Sequence, residues 1–274
     1  SEELGLTLPL YRQFFRYLAD LGRGDLGFSY YHGAPVRTVL AARLPWTLLL
    51  SGTALLLGAA AGIVLGIEAG WRRGSSFDRT VLAANTLLSG LPSFFTGILL
   101  LLAFGVTLGW LPLQGARTPY GQFTVWGHLA DAAVHLILPV TTLILAFVPA
   151  TFLLTRSAMA GVAGRPFITT ARAKGLPSAA IRYRHAARNA LLPVVTAGGL
   201  LVGNRLLAGA LFVEIVFSYP GMGTLIRQAV TTRDYPVLQG ALLTIGLDLG
   251  IDFRPVDRVF NVGSPSLDAM AETN

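Results

Sequence analysis

The chain has 274 residues, of which 53% are hydrophobic and 13% charged; it contains no cysteine and carries a formal net charge of +7. A soluble domain holds about a quarter charged residues because its surface faces water, so half that share places much of this surface against lipid. The absence of cysteine excludes disulfides, thiolate metal sites and cysteine nucleophiles, and the basic excess reads as the loop charge that orients a membrane protein, not as a nucleic-acid footprint.

In chain order, residues 1–43 are mixed in character. Arg12, Arg16, Arg23, Arg37 and Arg43 stand against Glu2, Glu3, Asp20 and Asp25, and the stretch from Tyr11 to Leu18 reads as a short amphipathic helix. Gly22, Gly24, Gly27 and Gly33 then interrupt regular structure. The first apolar run, Leu44 to Gly70, is long enough to cross a bilayer core of about 30 Å. Further spans are expected from about Thr80 to Gly109, Ala132 to Met159 and Asn189 to Phe217, with a last one starting near Val237. Pro92, Pro139 and Pro149 fall inside them, which neighbouring helices and water can accommodate.

The connections set the orientation. Arg72, Arg73 and Arg79 face only Asp78 in one, and Arg165, Arg172, Lys174, Arg182, Arg184 and Arg188 meet no acid in the segment 161–188. The alternate connections are poorer in base: Arg117 in one, Arg227 and Arg233 against Asp234 in the other. The basic side is expected to be cytoplasmic, which puts residues 1–43 outside. The economical account of an external start without an export signal is a preceding transmembrane helix that this sequence does not include.

Gly58, Gly62, Gly66 and Gly70 recur at intervals of four on one helical face, the pattern that lets helix backbones approach closely. They suit packing within the chain or contact between subunits; Gly199 and Gly203 repeat the spacing. In the basic segment, Phe167, Ala171 and Gly175 share a face, with Arg172 on another side, so a short amphipathic helix closed by Gly175 and followed by Pro177 is expected. A second helical stretch runs from Ala179 to Asn189. Such an element can rest on anionic headgroups or dock into a partner's groove.

Six motifs in order resemble one family. Thr169-Thr-Ala-Arg-Ala-Lys-Gly175 with Arg184-His-Ala-Ala-Arg-Asn-Ala-Leu-Leu-Pro193 is similar to the cytoplasmic EAA loop of importer permeases. Arg23-Gly-Asp-Leu-Gly-Phe-Ser29, Gly90-Leu-Pro-Ser-Phe94, Val213-Glu-Ile-Val-Phe217 with Pro220-Gly-Met-Gly223, and Arg233-Asp-Tyr-Pro-Val-Leu-Gln-Gly240 narrow this to the dipeptide, oligopeptide and nickel permeases of ABC transporters. The resemblance covers about residues 5–246 and is greatest to the first of the two permeases in such systems. Thr169-Thr170 replaces the leading Glu-Ala of the general pattern, and Gly175 to Pro193 is longer than the widest consensus. Beyond Ile245 the chain departs from the family, placing Asp248, Asp252 and Arg254 where lipid-compatible residues belong.

The resemblance implies an all-α integral membrane protein, a polytopic bundle of about five transmembrane helices like a type I ABC importer permease. It divides the chain into an external segment 1–43, a transmembrane permease domain 44–253 with the cytoplasmic loop 161–188, and a divergent tail 254–274. Its implied function is the translocation path of an ATP-driven importer for peptides or related solutes, nickel chelates included, working by alternating access. The implied partners are a second homologous permease, two cytoplasmic ATP-binding subunits, an external solute-binding protein and the bilayer, with no nucleic acid and no cofactor. Thr169, Thr170, Ala171, Arg172, Ala173, Lys174 and Gly175, with Asn189 and Pro193, would then form the ATPase-coupling surface. Glu214, Pro220, Gly221 and Gly223 would form an external loop motif, with Glu214 bracing it.

Among polar groups inside spans, Asn204 and Arg205 either line a translocation path or, for Arg205, pair with Asp248. His135 and Asn85 are expected to bond to neighbouring helices, and Glu68 to be a surface partner of Arg72 and Arg73. No His pair at helical spacing suggests a metal. Lys174 is the only lysine and is followed by Gly175, so the phosphate-binding G-x-x-x-x-G-K-[ST] sequence cannot occur. Any ATP hydrolysis must therefore lie on another polypeptide. A self-contained secondary transporter or channel is the competing class, which inverted repeats and a midplane acid cluster would favour.

Overall fold

The computed structural model describes residues 9, 11, 15, 19–119, 121, 124–205 and 210–248, with the side chains of 197–205 and 247–248 left undescribed. The tail 254–274, with Asp252 and Arg254, lies outside the described residues, as do most positions of the expected helix at Tyr11–Leu18.

A small antiparallel hairpin comes first, β1 (Phe28–Ser29) with β2 (Ala34–Pro35), pairing Phe28 with Pro35 and Ser29 with Ala34. It feeds directly into α1 (Val36–Trp71), a helix of 36 residues that is about 54 Å long at 1.5 Å per residue. The helix starts at Val36, not at the expected Leu44. Arg37 and Arg43 disguise its first turns, but Val36, Val39 and Leu40 are buried in a cluster with Met222, Leu225, Val237 and Ala241.

The expected single span from Thr80 to Gly109 is broken. Helix α2 (Ser76–Ser89) and helix α3 (Ser93–Leu100, continued by a π-helical stretch Leu101–Thr107) meet at 103°. Pro92 has no N–H to continue the ladder and biases Leu91 away from helical dihedrals. Its carbonyl then accepts from the Phe95 and Thr96 N–H groups and starts α3. Helix α4 (Val125–Val162) is capped by the Thr124 hydroxyl and carries Pro139 and Pro149 without a comparable break. Among the described residues, α1 and α4 are long and apolar enough to cross a membrane, and α2 with α3 makes a third such unit if counted as one span.

The glycine stripe fixes how α1 and α4 pack. A Cβ at Gly58, Gly62, Gly66 or Gly70 would lie 3.2, 2.8, 2.6 or 2.6 Å from the Cβ of Phe147, Thr151, Thr155 or Met159 respectively. The partners advance by four whenever the glycines do, so the two helices run parallel in constant register. The stripe therefore serves packing within this chain.

Past α4 come α5 (Pro166–Ala173), a helical stretch Ser178–Ala187 that is π-helical from Ile181, and α6 (Arg188–Arg205). Ala210, a turn residue with helical dihedrals, caps α7 (Leu211–Val216). Of the expected span Asn189–Phe217, α6 and α7 are the described parts, and residues 206–209 between them lie outside the described residues. Helices α8 (Met222–Thr232) and α9 (Tyr235–Asp248) are the last described elements. Gly240 lets α9 close on α1, since a Cβ there would meet Val36 Cγ1 at 2.8 Å.

Candidate functional site

The two ends of α1 carry different chemistry. At the Trp71 end, α5 opens with Pro166 in its first turn, where a missing N–H is harmless. It buries Ile168 and Ala171, which join Ile67, Met159, Ile181, Ala186, Ala187 and Ala190 in one apolar cluster. The packed face is therefore Ile168 with Ala171. Phe167, expected to share a face with Ala171, stays exposed, and Gly175 lies beyond the helix. Arg172 stacks on Trp71, its guanidinium 5.5 Å from the ring centroid.

The helix ends in a Schellman arrangement. Gly175 N–H donates to Arg172 O (2.9 Å), Leu176 N–H to Ala171 O (3.4 Å), and Gly175 has φ +72°. The left-handed residue after the last turn favours glycine, as its place in the sequence suggests. Thr169, Thr170, Ala173, Lys174, Gly175, Leu176 and Pro177 are all exposed, forming a knob whose base is packed and whose tip is free. Asn189 and Pro193 lie further along on α6, both exposed, and Asn189 Nδ2 donates to His185 O in the preceding π-helical stretch (2.8 Å).

Glu68 is not the simple surface partner expected. Its carboxylate, 17% exposed, accepts from Arg182 Nη1 at 2.8 Å and from the Tyr183 hydroxyl, and pairs with Arg72 at 3.1 Å. That hydrogen bond raises the Tyr183 phenol above its usual pKa. A second clamp joins α2 to α4: Arg156 donates to both oxygens of Asp78 at 2.5 and 2.8 Å, with the Asp78 side chain 2% exposed. Neither clamp has a local sequence signature, because partners 114 and 78 residues apart share no spacing rule. The available signal was an acid among basic residues. His135 and Asn85 bond within their own helices, to Asp131 O (2.8 Å) and Val81 O (2.9 Å), not to neighbours.

At the hairpin end, Glu214 is fully buried and accepts from Gly223 N–H at 2.6 Å, in the first turn of α8. A carboxylate there also meets the positive end of the helix dipole. Gly221 is required beside it, since a Cβ would fall 2.2 Å from Glu214 Oε1, and a Cβ at Gly223 would fall 2.3 Å from Leu211 O. Pro220 sits half-buried in the same turn. Met222 N–H donates to the Thr47 hydroxyl (2.8 Å), fixing this motif to α1. A nearby contact joins two more of the sequence motifs: Ser29 donates to Asp234 at 2.5 Å, and both are buried. Asn204 and Arg205 end α6, with side chains outside the description, as is that of Asp248.

Residues 62–251 match the family described as the binding-protein-dependent transport system inner membrane component. The di/tripeptide transport system permease protein DppB of Pseudomonas aeruginosa (strain UCBPP-PA14) is 38% identical over 96% of this chain and 82% of its own length. The dipeptide transport system permease protein DppB of Escherichia coli (strain K12) is 36% identical over 97% of this chain and 83% of its own. The glutathione transport system permease protein GsiC of the same strain is 36% identical over 97% of this chain and 82% of its own. Among solved structures, a chain of the MetNI methionine ABC transporter, in an inward-facing form, aligns with a TM-score of 0.61 at 15% identity, covering 84% of this chain and 98% of that one. These matches extend the resemblance carried by the motifs over nearly the whole chain, which belongs to the binding-protein-dependent transport system inner membrane component family and is a multi-pass membrane permease subunit of an importer of that type.

Proposed function

We propose that this permease forms the path for short peptides or closely related solutes, and that ATP is hydrolysed on two separate subunits docked against the knob Pro166–Pro177. In this reading residues 161–188 face the cytoplasm and 1–43 face outside, where a solute-binding protein delivers cargo; a second homologous permease completes the path. Alternating access follows when closure of the ATPase pair pushes the knob and the helices behind it. The observation that carries the reading is the knob itself: Ile168 and Ala171 bury its base against α1 and α4 while Thr169, Thr170 and Ala173 to Pro177 stay exposed and free for a partner. The relatives named for dipeptides, tripeptides and glutathione support the cargo class.

The test is uptake in vesicles containing this chain, its companion permease and ATPase subunits, with the binding protein outside. Labelled dipeptide should accumulate only with ATP inside the compartment that corresponds to the cytoplasm. Accumulation of a nickel chelate but no peptide would overturn the cargo reading. ATP-independent uptake by the chain alone would favour the secondary-transporter class instead.

A further inference from the structure

At the hairpin end the described acids that line its turns already have partners. Asp25 accepts from Gly27 N–H (2.9 Å), and Asp131 from the Thr118 N–H and hydroxyl (2.7 and 2.6 Å). Glu214 and Asp234 are held by Gly223 and Ser29. Arg43 and Arg227 differ: neither guanidinium makes an ion pair or hydrogen bond among the described residues. Both line one pocket of about 430 Å³, together with Tyr31, Ser218, Gln228 and Thr231, and no acid among the described residues contributes to its wall.

Two like charges around one cavity repel each other, and an anion between them relieves that repulsion. The guanidinium fork matches a carboxylate in two parallel hydrogen bonds. Hydroxyls and an amide supply the remaining wall, and the volume falls within the range of small-ligand sites. The Tyr31 hydroxyl and Gln228 Nε2 are already joined at 3.3 Å, so one side of the pocket is pre-set. Ser218 at its rim has φ +47°, a conformation that non-glycine residues adopt at a cost and that clusters at functional sites.

We propose that this pocket binds the free carboxylate of a peptide solute between Arg43 and Arg227. Its occupant would bridge α1 and α8, the long helix and the helix that Glu214 caps. The inference rests on the peptide reading for its ligand, but its readout is arginine modification, with uptake serving only to separate the two readings.

The assembled transporter in lipid nanodiscs, without binding protein, is treated with the arginine reagent phenylglyoxal. Modification rates at Arg43, Arg227 and the exposed Arg233 are followed by peptide mass spectrometry. The dipeptide Ala-Ala at about twice its dissociation constant should slow Arg43 and Arg227 about threefold and leave Arg233 unchanged. Its carboxyl-terminal amide should protect neither, and Arg227→Gln should abolish protection at Arg43. Equal protection by the amide, or none by saturating Ala-Ala, would overturn the proposal. Protection only by solute-free binding protein would also overturn it, making the pair a protein contact. Dipeptide uptake without protection would remove the pocket and leave the cargo reading standing; protection without dipeptide uptake would do the reverse.

Discussion

Gly66→Leu is expected to leave almost no folded permease in the membrane. A Cβ at Gly66 already lies 2.6 Å from Thr155 Cβ and 2.9 Å from the Phe152 carbonyl oxygen. The obstacle is backbone, which cannot swing aside, so the helices must separate and lose the contacts made along the whole stripe. Overpacking of a yielding core costs about 1–3 kcal/mol; a rigid helix pair should exceed that, and Gly66→Ala should already lower thermal stability. The control is Gly52→Leu on the same helix, where no atom lies within 4 Å of the added Cβ. Abundance in membranes and melting in detergent measure both. Equal behaviour of the two leucine variants would mean that α1 and α4 do not pack through this stripe.

The second large effect is expected at Glu68. Glu68→Ala leaves the Arg182 guanidinium, 15% exposed, without its carboxylate, and frees the Tyr183 hydroxyl. Breaking a buried ion pair costs about 3–5 kcal/mol, reduced here by partial exposure to about 1–3. The expected loss is specific in kind. The stretch Ser178–Ala187 behind the knob is tied to α1 through this carboxylate, so ATP-driven movement should reach α1 less faithfully. Solute moved per ATP hydrolysed should fall about tenfold, the equivalent of about 1.4 kcal/mol, while the ATPase stays bound and active. Glu68→Gln keeps one acceptor oxygen for the Arg182 guanidinium, and its amide nitrogen can donate to the Tyr183 hydroxyl oxygen, so it should lose less. Lower abundance with an unchanged transport-to-ATP ratio would reduce Glu68 to a stabilising role.

Much of this architecture was legible because it rests on local periodicity. Glycines at intervals of four announced a close helix contact, and Gly175 before Pro177 announced a left-handed cap. The identity of the partner helix was not legible, since nothing in Gly58–Gly70 encodes Phe147–Met159. Proline was ambiguous for a similar reason. Pro139 and Pro149 continue α4 whereas Pro92 breaks a span, and the Gly90-Leu91-Pro92 sequence differs from them chiefly by the adjacent glycine. Val36–Arg43 was misread because two arginines outweighed three buried apolar residues whose neighbours come from α8 and α9. The Glu68 and Asp78 clamps join distant segments, so composition shows an acid in a basic loop but not its partner. The Glu214–Gly223 motif was found by resemblance, and only the geometry explains its glycines: their missing Cβ atoms make room for the Glu214 carboxylate and the Leu211 carbonyl.

Gly175→Glu tests most directly whether the Pro166–Pro177 knob is where the ATP-binding subunits engage. No atom lies within 4 Å of a Cβ at this position, so the internal cost is confined to the left-handed φ of +72°, about 1 kcal/mol. Gly175→Asn shares most of that backbone cost without adding charge, and so isolates the surface effect. Co-purification of the ATPase with each variant, read together with uptake in reconstituted vesicles, is the measurement. The account predicts normal abundance for both, near-normal coupling for Gly175→Asn, and loss of ATPase binding or of ATP-driven uptake for Gly175→Glu. Full retention of both by Gly175→Glu would contradict it and leave the knob as a helix resting on lipid.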